Sequence, residues 1–192
     1  MKKALPLLFF ILLLFCATVQ NAVSVPKKLA EPAFSNITVT SSNSHLLLFA
    51  MLEDAFTHEM LQGLHSGIPI HFSFFIELFP TGKNRNDDRI STIEIRHVIG
   101  YDTLKETYKV ELEESGKRFF TFEKVDEAQK AINEINGLKI VELTKLHPDT
   151  SYTVRIRAEL YKKTLPMGLH TVVPFISWWD VKTKWHSITF KL

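Results

Sequence analysis

Apolar and polar residues alternate with a period of two along much of this chain, and no other feature limits the fold as strongly. Tyr152, Val154, Ile156, Ala158 and Leu160 alternate with Thr153, Arg155, Arg157 and Glu159. Successive side chains of a strand point to opposite faces, so such a segment buries one face and shows the other to its surroundings. The same rhythm runs through Tyr108, Val110 and Leu112, and through Ile93, Ile95 and Ile99. Ile188, Phe190 and Leu192 end the chain in it. Ile70, Phe72, Phe74, Ile76 and Leu78 form one apolar face, with Phe75 and Phe79 on the opposite one. Leu46 to Leu52 is an unbroken apolar run, which reads as a strand buried on both faces. Shorter candidates are Ile37–Thr40, Phe119–Phe122 and Ile140–Leu143, giving roughly nine strands in all.

Two segments leave this rhythm for helical spacing. Phe56, Met60, Leu61 and Leu64 share a helical face, and Gly67 with Pro69 stops the segment. Phe122, Val125, Ala128, Ile132 and Ile135 do the same up to Gly137. The stretch from Pro80 to Arg89 is polar and reads as an exposed hairpin loop. The expected architecture is mainly β (α+β): an immunoglobulin-like β-sandwich with two short amphipathic helices, spanning 34–192.

The N-terminus predicts export. Met1, Lys2 and Lys3 precede an uncharged run from Ala4 to Val19. Its 16 residues fall short of the ~20 that span a bilayer, which favours a signal peptide over 1–24. Ala22-Val23-Ser24 offers a cleavage site after Ser24, and 25–33 reads as a linker. The alternative is an uncleaved N-terminal anchor, the one condition under which a membrane is an expected partner. Cys16 is the single cysteine; Leu14 and Phe15 before it are too large for the site of lipidation. Cleavage leaves no thiol nucleophile and no disulfide. The chain has 23 basic and 21 acidic side chains, and Lys2 and Lys3 are the whole excess. A neutral mature chain lacks the basic footprint of a nucleic-acid binder.

Leu146, Pro148, Thr150, Tyr152, Val154 and Ile156 lead at every second position from a turn into a strand. This resembles the tyrosine-corner strand of fibronectin type III and related immunoglobulin-like sandwiches, in which the tyrosine hydroxyl bonds back to the chain just before it. Over a longer reach, Leu52-Glu53-Asp54-Ala55-Phe56, Gly67-Ile68-Pro69-Ile70, Tyr101-Asp102 and Tyr108 stand out. With Tyr152, Val154, Arg155, Arg157, Leu165-Pro166, Trp178, Asp180 and Trp185, they resemble a family of uncharacterised exported bacterial proteins, domain-of-unknown-function family 4390. That resemblance implies an envelope protein of unknown activity. In some relatives the gene lies beside a membrane sensor kinase.

Candidate chemistry is sparse. His58-Glu59 opens a helix, but Gln62 stands where a zinc-protease pattern needs its second histidine. Asp87-Asp88 and Glu113-Glu114 read as exposed turn charges rather than a glycosidase pair. No nucleophile elbow and no phosphate-cradling glycine loop is present, so neither an enzyme nor a cofactor is expected. The most suggestive surface is Trp178-Trp179-Asp180 followed by Trp185, which places all three tryptophans within eight residues. Neighbouring residues of a strand face opposite ways, so one of Trp178 and Trp179 is expected at the surface as an anchor for an envelope protein or glycan. Arg155 and Arg157 form a weaker candidate, an anion strip, against the plainer reading of a sheet face paired to glutamates. The leading expectation is a non-enzymatic binding or adaptor module. The alternatives are a cell-wall hydrolase with carboxylates from separate strands, and a membrane-tethered regulator of a sensor kinase.

Overall fold

The computed structural model describes residues 31–83, 88–116, 118–160 and 181–192. Nine strands and two α-helices follow in the order β1 (Ala33–Ser41), β2 (His45–Glu53), α1 (His58–His65), β3 (Ile70–Pro80), β4 (Ser91–Asp102), β5 (Thr107–Leu112), β6 (Arg118–Phe122), α2 (Val125–Asn133), β7 (Glu134–Glu142), β8 (Ser151–Leu160) and β9 (His186–Lys191). They form two sheets, β1-β2-β7 and β6-β5-β4-β3-β8-β9. Every pairing is antiparallel. The chain is therefore mainly β, and the strands lie where the period-two pattern places them except β7, expected over Ile140–Leu143 and found over Glu134–Glu142.

Alternation decides which residues are buried. In β8 the set Tyr152, Val154, Ile156 and Ala158 is buried, and the residues between are partly exposed. These side chains join Leu46, Leu48 and Leu52 of the smaller sheet in one apolar core. Phe34 of β1 meets Phe74 of β3 edge to face, with ring centroids 6.1 Å apart. The Ser91 hydroxyl of β4 donates to the Ile140 carbonyl of β7 at 2.8 Å. Tyr152 makes the corner bond expected of it: its hydroxyl accepts the His147 N–H at 2.7 Å.

Two expectations need correction. The run Leu46 to Leu52 is not buried on both sides: Leu46, Leu48, Ala50 and Leu52 are buried, but Leu47, Phe49 and Met51 are only half-buried. Among the described residues, no second layer covers the outer face of this three-stranded sheet. The second helix also ends earlier than its periodicity suggests. Ile135 belongs to β7, where it pairs with Ala50 of β2, so strand pairing overrides local spacing.

Both ends of α1 and the last turn of α2 have specific partners, while Lys124 at the start of α2 makes no side-chain cap. Thr57 caps α1, its hydroxyl accepting the Met60 N–H at 3.3 Å. Gly67, at φ +86°, turns the chain out of that helix toward β3. The last carbonyls of a helix lack intrahelical donors. In α2 the buried His97 ring supplies one, with Nδ1 2.6 Å from the Ile132 carbonyl oxygen.

Candidate functional site

The outer face of the larger sheet is where the site residues that fall within the described structure come together. Antiparallel register sets Phe75 and Glu77 of β3 beside Arg157 and Arg155 of β8. Arg155 holds Glu77 through Nε at 2.6 Å and Nη2 at 2.5 Å, and Arg89 reaches the same carboxylate at 3.3 Å. Glu77 is buried by this double pairing, at 7% exposure. Arg157 donates from Nη2 to Glu159 at 3.1 Å, and Lys182 joins that carboxylate at 3.0 Å.

Trp185 lies half-buried across the two guanidinium groups, 4.6 Å from Arg155 and 4.7 Å from Arg157. Phe79 lies 5.3 Å from Arg155, and Phe75 lies 5.0 Å from Arg157. Stacking a weakly hydrated, planar guanidinium on an aromatic face contributes ~0.5–2 kcal/mol per contact, more as water is excluded. The segment carrying Trp185 is anchored to β8: the Thr183 N–H donates to the Ala158 carbonyl, and the Thr183 hydroxyl accepts the Ala158 N–H, each at 3.0 Å. One polar group on this face lacks a partner. Arg157 Nε is buried without a hydrogen-bond acceptor.

Arg155 and Arg157 are therefore paired to glutamates, and they are covered rather than openly solvated. Trp178, Trp179 and Asp180 lie outside the described residues. Glu77 and Glu159 share the face, but each is bound by arginine.

The family model for the domain of unknown function DUF4390 matches residues 30–189. The chain belongs to the DUF4390 family. No curated protein and no solved structure matches it.

Three further features of this DUF4390 domain were not apparent from sequence. Glu114, expected as an exposed turn charge, is 13% exposed at its side chain and grips His97 Nε2 through both oxygens, at 2.9 and 3.0 Å. The left-handed Gly116, at φ +72°, closes the short 3-10 turn that carries it inward. Near the C-terminal end of α1, His65 Nε2 lies 2.6 Å from the Tyr108 hydroxyl, with the Tyr101 ring beside both. Burial, followed by Tyr101 and Asp126, pushes the Tyr108 phenol above its ordinary range. The third feature is β6, at an edge of the larger sheet, with Phe119 68% and Phe120 40% exposed. Adjacent phenylalanines on a short strand were the available signal, but exposure depends on strand order, which one segment does not encode.

Among the described residues, no group of three or more His, Cys, Asp or Glu side chains could hold a metal ion. His58, the first histidine of the helical pattern, bonds Gln62 at 3.0 Å.

Proposed function

We propose that this DUF4390 chain is a non-enzymatic binding module of the bacterial envelope, exported through its 1–24 segment, and that it engages a protein or glycan with the outer face of β3, β8 and β9. The observation that carries this reading is the Arg155–Trp185–Arg157 stack. Tryptophan and arginine dominate the energetics of recognition surfaces, and groups already held in place lose little entropy on binding. The glutamate pairs and ring contacts fix both guanidinia before any partner arrives. Arg157 Nε–H gives the surface a chemical preference. A buried donor without an acceptor costs ~1–3 kcal/mol. A partner oxygen accepting that N–H recovers part of the cost, which favours carboxylate- or hydroxyl-bearing partners.

An immunoglobulin-like sandwich is the finer fold reading within this proposal. The Tyr152 corner bond and the Phe34–Phe74 contact between sheets support it. The hydrolase alternative has less behind it. An acid–base pair needs carboxylates free to exchange protons, and Glu77 is held between two arginines.

Capture from envelope extract provides the test, comparing wild type with Trp185→Ala and Arg157→Met. Leu104→Ala, at the 95% exposed tip of the β4–β5 turn, serves as control. The proposal predicts that the first two variants lose the same captured species and the control retains it. Unchanged capture by both variants would contradict it.

A further inference from the structure

We propose that β6 pairs with the β6 of a second copy of this chain, antiparallel and centred on Phe120, joining two six-stranded sheets into one. This surface is separate from the Trp185 face, which lies toward the opposite edge of the sheet.

A sheet edge offers unpaired N–H and C=O groups, and proteins blunt such edges with bulges, charges or irregularity. Among the described residues, the two sheets have four edge strands. On β1 the register breaks between Ser35 and Thr38, where Asn36 sits at φ +52°. The register of β7 against β2 shifts twice, and β7 exposes Lys139. The exposed residues of β9 are Ser187, Thr189 and Lys191, all polar. On β6 the one charge is Arg118, at its first position, and the strand carries no bulge. Its register with β5 runs unbroken over five pairs, and it exposes Phe119 and Phe120 on opposite faces.

A second copy fits this edge because β6 complements itself. A two-fold axis perpendicular to the sheet must pass beside a residue that pairs with its own counterpart. Centring on Phe120 is the register that engages every residue of Arg118–Phe122. It sets Phe120 against Phe120, Phe119 against Thr121 of the second copy, and Arg118 against Phe122 of the second copy. These are aromatic, aromatic–β-branched and cation–aromatic pairs, and no like charges oppose. The contact is closed, since each copy uses its one flat edge on the other. The remaining edges are blunted, so the sheet stops at two copies. A formal charge of +2 on the whole chain adds little long-range repulsion.

Cysteine cross-linking of the full chain, with Cys16→Ser as background, tests the register. Directly opposed residues in antiparallel strands lie about 4.5–5.5 Å apart at Cα, within disulfide reach. Phe120→Cys is expected to give a disulfide dimer with itself. Phe119→Cys is expected to form no disulfide alone and to cross-link when mixed with Thr121→Cys. Sedimentation is expected to show two chains for wild type and one for Phe120→Lys, with the same melting transition. A monomeric wild type, cross-linking of Phe119→Cys alone as strong as that of Phe120→Cys, or a Phe120→Lys protein that stays dimeric would overturn the proposal.

Discussion

Tyr108 shows how a single side chain ties its environment to pH. The folded state favours its neutral phenol, because burial and the neighbouring Tyr101 and Asp126 disfavour the phenolate. A group whose folded value is raised contributes stability that is complete below the unfolded value, about 10 for tyrosine, and lost as pH climbs through the folded one. Alkaline unfolding is therefore expected to shift in Tyr108→Phe, and a component of the phenolate absorbance that ionises above the ordinary tyrosine range to vanish. An unaltered alkaline titration would contradict this. His97 and Glu114 form a buried contact: the ring bridges the Ile132 carbonyl through Nδ1 and the Glu114 carboxylate through Nε2. Removing one partner of a buried pair costs ~3–5 kcal/mol. Glu114→Ala is expected to lose about that much in denaturant unfolding, and a loss of only a few tenths would mark the pair as incidental.

Among the elements, β8 links sequence and structure most closely. Its alternation places Arg155 and Arg157 outward, and the tyrosine-corner pattern anticipates the bond from the His147 N–H to Tyr152. Tyr152→Phe leaves that N–H without its acceptor and is expected to cost ~1–3 kcal/mol at the denaturation midpoint. Legibility follows the range of the interaction. β3, β5 and β8 declare themselves because one buried face imposes period two within a single segment. The end of α2 at Asn133 does not, because β7 pairs with β2, more than 80 residues earlier, and takes Ile135 from the helical pattern. The depth of Glu114 and the exposure of Phe119 were equally hidden. The first depends on β5 pairing with β4, which sets the turn between β5 and β6 against His97, and the second on which strand ends the sheet. Trp185, the tryptophan that lies within the described residues, stacks on the arginines of β8.

At the scale of the whole molecule, the two sheets divide the work. The smaller sheet and both helices contribute to one core with the inner face of the larger sheet. That leaves the outer face of β3, β8 and β9 free to carry an ordered set of charges and rings. The central claim, that this face meets a partner, is tested most directly by photo-cross-linking in the intact envelope. The probe replaces Ser187, exposed on β9 opposite Arg155, and a control probe replaces exposed Thr144 beyond β7. The account predicts a discrete adduct from Ser187 that Thr144 does not give and that Trp185→Ala abolishes. No adduct from Ser187, or the same adducts from both positions, would contradict it.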